Sequence, residues 1–159
     1  MTYVATDSTK AQTTTWLTPL SLVRSLGEFD LDPCGYPGHE TAKRLICLPE
    51  DGLKAEWTGR VWLNPPYGKE QQIWLKKLQE HGNGIALIFA RLETNWIQPF
   101  LGGGFFQIQG RLSFLSSADM QPGKSSCGWS AGTGSILIPF GRKNIGAILS
   151  SDLKGKWFQ

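Results

Sequence analysis

Four consecutive residues carry the strongest chemical suggestion in this chain: Asn64-Pro65-Pro66-Tyr67, directly after the apolar triplet Val61-Trp62-Leu63. Asn64 brings a side-chain carbonyl acceptor. Pro65 brings a backbone carbonyl, and the proline pair stiffens the loop so that both acceptors are set in advance. Tyr67 adds a flat aromatic face. Two fixed acceptors beside a stacking ring suit a planar heterocycle or amide that bears an NH2 group. The lone pair of such an amine is delocalised and weakly nucleophilic. Accepting both of its hydrogens draws the nitrogen toward a tetrahedral form and stabilises the positive charge that grows as it attacks an electrophile. This is electrostatic preorganisation and not proton abstraction, so a neutral Asn suffices. The competing reading is a proline-rich turn with a capping Asn, which needs none of this chemistry.

The loop needs a strand before it and a helix after it. Proline cannot serve a sheet ladder, so the strand at Val61-Trp62-Leu63 must stop at Asn64. A helix is predicted from about Glu70 to His81, with Ile73, Trp74, Leu75 and Leu78 inward, Lys76 and Lys77 on its wet face, and Gly82 and Gly84 closing it. Thr18-Pro19 before Leu20, Leu22, Val23 and Leu26 predicts a helix with Thr18 as N-cap, Pro19 in its first position and Gly27 past its end. Phe29 to Asp32 reads as a strand running into the turn LDPCGYPG. His39 to Leu45 reads as a helical stretch and Ile46-Cys47-Leu48 as a strand. Ile85 to Phe89 has the near-continuous apolar run of a buried parallel strand. Leu92 to Leu101 reads as helix, and Phe105–Gln109, Arg111–Leu115, Ser135–Phe140 and Ile145–Leu149 as strands. Trp62, Trp74 and Phe89 read as core. Helices alternating with strands, then strands in succession, predict an α/β sheet finished by a C-terminal antiparallel hairpin. Open sheets of that class place ligands at the carboxyl ends of their strands, where Asn64 stands.

Composition removes several classes. The 159 residues make room for one domain, expected over 16–159 after a polar, threonine-rich and flexible arm over 1–15. A net charge of +3 permits a polyanionic partner and excludes a histone-like binder. The first residues contain no apolar signal core. The longest apolar run, Ile85 to Ala90, is far below the ~20 residues that span a bilayer, so no membrane partner is expected. Cys34, Cys47 and Cys127 lack the CxxC spacing of a zinc site, and His39 and His81 lie far apart. A cytoplasmic, metal-free protein is the expectation.

Around the proline loop, short motifs follow one another in order: Trp16-x-Thr18-Pro19, Phe29-Asp30-Leu31-Asp32-Pro33, Asp51-Gly52-Leu53 with Trp57, Leu63-Asn64-Pro65-Pro66-Tyr67-Gly68, Phe89-Ala90-Arg91 with Glu93-Thr94-x-Trp96, and Gly110-Arg111-Leu112-Ser113-Phe114. In this order they resemble the small phage-type DNA N6-adenine methyltransferases of the Dam family, which use S-adenosylmethionine. The resemblance covers about residues 16 to 140. It implies a compact Rossmann-like methyltransferase sheet, and methyl transfer to N6 of adenine in double-stranded DNA after the base is flipped out of the stack.

Residue by residue, the resemblance gives Asn64, Pro65, Pro66 and Tyr67 to the catalytic loop. Trp16, Thr18 and Pro19 look like the N-terminal cofactor motif, with Asn64 beside the cofactor as well. Asp32, Pro33 and Cys34 look like the acidic loop that meets the amino-acid part of the cofactor, where an ammonium and a sulfonium favour a carboxylate. Asp51 looks like the acidic position that meets the adenosine, with Glu50 the alternative. The wider superfamily has D-P-x-x-G-x-G, whereas this chain has Asp32-Pro33-Cys34-Gly35-Tyr36-Pro37-Gly38, an early glycine and an inserted proline. No segment is left for a separate target-recognition domain. Arg91, Arg111, Lys124 and Trp129 are therefore the expected DNA contacts, and a homodimer would suit a palindromic site. Methylation of RNA or of a protein glutamine is the alternative enzyme. A domain that binds DNA or cofactor without turnover is the alternative from another class, and the altered glycine loop is the feature that favours it.

Overall fold

The computed structural model describes residues 2–3, 14–116, 129–130 and 132–159. In chain order the elements are β1 (Thr2–Tyr3), β2 (Thr14–Leu17), α1 (Leu20–Ser25), β3 (Leu31–Asp32), β4 (Arg44–Leu45), β5 (Val61–Leu63), α2 (Gln71–His81), β6 (Gly84–Phe89), β7 (Phe105–Ile108), β8 (Ser113–Ser116), β9 (Trp129–Ser130), β10 (Ser135–Phe140), α3 (Arg142–Leu149) and β11 (Gly155–Phe158). Seven strands form a mixed sheet in the order β4-β3-β5-β6-β10-β7-β11. The first four run parallel. Each later pairing is antiparallel. A smaller antiparallel sheet runs β1-β2-β8-β9.

The sheet is sandwiched because its central strands are apolar on both faces. Trp62, Ile85, Leu87 and Leu137 pack with Leu22 and Val23 of α1, Leu26 at its end and Ile148 of α3. Val61, Leu63, Ala86, Ile88 and Ile138 pack with Trp74, Leu75 and Leu78 of α2. From β3 the chain passes to β4 on one side, then crosses to β5 on the other. That reversal of strand order opens a crevice at the carboxyl ends of β3 and β5. Asp32 ends β3, and Asn64 follows β5 directly. Topology thus brings the two sequence motifs together.

The α/β expectation is met, and five local expectations are corrected. His39 to Leu45 is not helical, and the strand lies at Arg44–Leu45 instead of Ile46-Cys47-Leu48. Ladder bonds from Arg44 N–H to Asp30 O (3.0 Å) and Ile46 N–H to Asp32 O (2.9 Å) fix that register. Leu92 to Leu101 forms turns and a single 3-10 turn at Gln98–Phe100, because Pro99 lacks the N–H that a longer helix needs. Ile145–Leu149 lies in α3, where Ile145, Ile148 and Leu149 have helical spacing; a short apolar run is ambiguous by pattern alone. The antiparallel finish is the trio β10-β7-β11, with β11 paired to β7, and not a hairpin. Within the expected N-terminal arm, Thr2–Tyr3 pair with β2. Residues 4–13 lie outside the described residues. Among the described residues, no helix is long and apolar enough to cross a membrane.

Candidate active site

Asn64 is only 4% exposed. Its Nδ2 donates to the Thr18 Oγ1 at 2.8 Å. Its Oδ1 is buried and accepts no hydrogen bond among the described residues. The donor end of the amide is thus tied to the protein, while the acceptor end is held back. A buried carbonyl left unmet costs about 1–3 kcal/mol, which a binding partner would recover. Thr18 is not the helix cap expected of it: Pro19 takes the cap position of α1, with no side-chain cap bond. A hydroxyl engaged with Asn64 is not available to cap the helix. Thr18 is held from its other side too, since its carbonyl lies 2.9 Å from the His39 Nε2. Burial lowers the pKa of His39, which favours the neutral ring.

Across the crevice, Asp32 is buried. Its carboxylate accepts the Cys34 backbone N–H at 2.9 Å and the hydroxyl of Thr41 in a short hydrogen bond. Burial pushes its carboxyl pKa up, against the hydrogen bonds from Thr41 and Cys34. Thr18, Asp32, Cys34, His39, Thr41 and Asn64 line one pocket floored by Trp62. The early glycine of this loop also has a physical cause. A Cβ at Gly35 would lie 2.8 Å from the Leu45 Cβ, and its N–H donates to the Ile46 carbonyl at 3.0 Å. Gly35 therefore lets the loop close onto β4.

Asp51 is not among those pocket residues. It is exposed, accepts the Leu53 N–H at 2.9 Å and pairs with Lys54 at 3.6 Å. Glu50 pairs with Arg44 at 3.3 Å. Their turn nevertheless touches the acidic loop: a Cβ at Gly52 would collide with the Pro33 carbonyl, so only glycine fits. Sequence reasoning missed what holds the turn. Lys77, expected on the wet face of α2, is half-buried, and its ammonium donates to the carbonyls of Leu53 and Ala55 at 2.6 Å each. It also sits 4.9 Å above the Trp57 ring. Trp57 in turn donates its indole N–H to Gly52 O at 2.8 Å. The long stem of lysine reaches these carbonyls from the helix flank, which no periodicity reveals.

Tyr67 is half-buried. Its ring stacks on Phe89, with centroids 4.0 Å apart and planes 6° from parallel. Burial raises the phenol pKa, so the hydroxyl stays protonated. Phe89 was expected as core, yet it stands at the carboxyl end of β6 as the support of Tyr67, with Phe114 edge-on at 6.4 Å. Trp16 packs against the α1-side core. Pro65 is buried and Pro66 half-buried. Arg91 and Arg111 are exposed, one shortly after β6 and the other before β8, and neither lines the pocket. Lys124 lies outside the described residues, as does the side chain of Trp129.

The crevice is thus built from a withheld carbonyl, a buried carboxyl and a supported aromatic ring. The chain is similar to a DNA N-6-adenine-methyltransferase of Escherichia phage T1, 28% identical over 141 residues, covering 72% of this chain and 59% of the relative. It therefore spans less than two thirds of that relative's length. No solved structure matches it. A family model described as DNA N-6-adenine-methyltransferase (Dam) matches residues 5–150. With nearly the whole chain inside that match, the protein belongs to the Dam family.

Proposed function

We propose that this protein transfers a methyl group from S-adenosylmethionine to N6 of adenine in double-stranded DNA, on a base turned out of the helix. The observation that carries this reading is the buried, unpartnered Asn64 Oδ1 at the strand-order reversal, beside Asp32. Family membership supports the reaction class. The four parallel strands and their switch point support a compact Rossmann-like methyltransferase sheet. The pocket residues fit the cofactor: a carboxyl held by Thr41 and the Cys34 N–H suits an ammonium and a sulfonium. S-adenosylmethionine, when bound, supplies an electrophilic methyl group.

The chain does the rest. Thr18 fixes the Asn64 amide so that Oδ1 accepts one N6 hydrogen, and the Pro65 carbonyl accepts the other. Positive charge growing on the amine is met by both oxygens. Phe89 covers one face of Tyr67, and the extruded base takes the other. Fixing the amine in one place and one orientation would convert an encounter with a bound methyl donor into a near-attack geometry. Pro33 and Cys34 complete the acidic loop, with Trp16 and Pro19 closing the methionine end. Asp51, or Glu50 in its place, meets the adenosine; each is exposed and ion-paired, to Lys54 and Arg44 respectively. Arg91 and Arg111 contact DNA phosphates, with Lys124 and Trp129 beside them, and a homodimer would read a palindrome. Acting on DNA, the protein works in the cytoplasm of a cell.

The test is to offer radiolabelled S-adenosylmethionine with unmethylated plasmid, RNA or lysate protein. Label in DNA, recovered as N6-methyladenine on nucleoside analysis, is the expected result. Label confined to RNA or protein, or label in none, overturns the proposal. Label in none, with cofactor or DNA still bound, would favour the binding-only alternative.

A further inference from the structure

Asn64 has a counterpart two strands away. Ser135 opens β10 and is 1% exposed, and its hydroxyl has no hydrogen-bond partner among the described residues. In the β6–β10 ladder it stands directly opposite Phe89. Directly opposed residues of an antiparallel pair project to the same face, with Cβ atoms about 4.5–5.5 Å apart. The core confirms that face: Leu137 and Leu87, next in the same row, both pack on the α1 side, and Phe89 packs against them. Trp62 packs there too, and Asn64 lies two residues beyond it. Ser135, Phe89 and Asn64 thus share one face at the carboxyl edge of the sheet, and Phe89 carries the Tyr67 ring.

A buried hydroxyl with no partner destabilises a protein unless something binds it. Nothing in the cofactor pocket reaches β10, since that pocket is lined from β2, β5 and the loop after β3. Ser135 lies on the β10 side of Asn64, one strand beyond β6 and away from that pocket.

We infer that the Ser135 hydroxyl is a recognition contact for the extruded base, donating to one ring nitrogen of the purine. The inference rests on the base-site reading of Asn64 and Tyr67 above. Asn64 and Pro65 would then take the amine, Tyr67 the ring face and Ser135 a ring nitrogen, so that three sides of the adenine are read by the protein.

The experiment uses the full chain and Ser135→Ala, with duplexes carrying adenine, 1-deaza-, 3-deaza- or 7-deazaadenine at the target position. On adenine, the variant should lose about tenfold or more in kcat/KM for DNA, as loss of a substrate hydrogen bond requires. Its affinity for S-adenosylmethionine should be unchanged and its Tm no lower, since the free protein loses no bond. One of the three deaza substrates should slow the wild type and leave the variant no slower than it already is on adenine. A variant as active as wild type overturns the inference. So does a loss of activity accompanied by a lower Tm, with every deaza penalty retained. A wild type that methylates no DNA overturns the underlying base-site reading instead, a result distinct from either.

Discussion

The two ends of the parallel strands use the same residue types and treat them in opposite ways. At the amino end, just before β3, β5 and β6, lie Asp30, Arg60 and Asn83, with Asn144 of α3 beneath them. Asn144 is fully buried, and its amide is saturated. Oδ1 accepts from the Arg60 Nε at 2.6 Å, and Nδ2 donates to Asn83 Oδ1 at 3.0 Å and to Phe140 O at 2.7 Å. Arg60 also donates to the Glu28 carbonyl and lies over the Phe29 ring at 4.2 Å. At the carboxyl end, Asn64 is buried too, yet its acceptor meets no hydrogen-bond donor among the described residues. The aspartates repeat the contrast. A hydrogen bond from the Arg60 N–H, with Lys43 beside it, holds the Asp30 carboxyl below the usual range. Two residues on, burial drives Asp32 the other way. One end spends its polar groups on holding strands in register, the Arg60 Nη2 excepted; the other leaves the Asn64 carbonyl open, as the proposed ligand site requires.

The largest effect should separate the two asparagines. Asn64→Ala should lower kcat by ~10²–10³ with cofactor affinity little changed, as when one preorganised polar contact to a transition state is lost. Asn64→Asp should keep measurable activity, because the Thr18 hydroxyl can turn to donate and a carboxylate still accepts from the amine. An inactive but folded Asp variant would argue against the acceptor role. Asn144→Ala should do the reverse. It strips partners from Arg60, Asn83 and Phe140, so urea denaturation should show a loss of about 2–4 kcal/mol. Turnover should stay normal wherever the variant is folded, and a selective loss of kcat would erase the distinction drawn here.

Next comes Tyr67. Base stacking needs only the ring and is worth ~1–3 kcal/mol, so Tyr67→Phe should keep most activity and Tyr67→Ala should lose roughly tenfold or more. Calorimetry of cofactor binding to the Ala variant separates a stacking role from a propping one, since only the latter weakens the cofactor. Asp51→Ala should be milder. The carboxylate is exposed and shared with Lys54, so cofactor affinity should fall by about 1 kcal/mol. Unchanged affinity in titration would remove Asp51 from the site.

The smallest effects are those of pH, and they carry opposite signs. Asp32 has a raised pKa in the fold, so its contribution is full below the ordinary carboxylate range of ~4 and is lost as pH rises through the raised value. Asp32→Asn should therefore be more stable than wild type at neutral pH and gain nothing in acid. Asp30 has a lowered pKa, so its contribution is present above ~4 and is lost as pH falls through the lowered value. Asp30→Asn should be less stable at neutral pH and level with wild type in acid. Denaturant midpoints at two pH values test both, and the same sign for the two variants would refute the contrast.

What could be read in the sequence was whatever lies within a few residues. The proline loop, the strand before it and the glycine-closed helix after it are local patterns, and the apolar runs at 61–63 and 85–89 announce central strands. The partners that complete the site are distant. Thr18 meets Asn64 across 46 positions of chain. His39 and Thr41 enter the pocket from a stretch that looked helical, and hydrogen bonding to Thr18 and Asp32 is what holds them there. Lys77 looked solvated because its charge is visible in the sequence and the carbonyls that receive it are not. The α3 segment was misread because three apolar residues fit a short strand as readily as one helical face.

The contact between Gly52 and Pro33 limits how this site can change over generations. With no room for a methyl group between them, and with Lys77 anchoring the same turn to α2, the two loops form one inherited block. A substitution library at position 52 would return almost only glycine, whatever donor molecule was under selection. Change beside the block must instead run through side chains that leave it, such as the exposed Asp51. On the proposed reading of Asp51, an engineer seeking to admit a bulkier methyl-donor analogue should diversify that position and leave the glycine untouched.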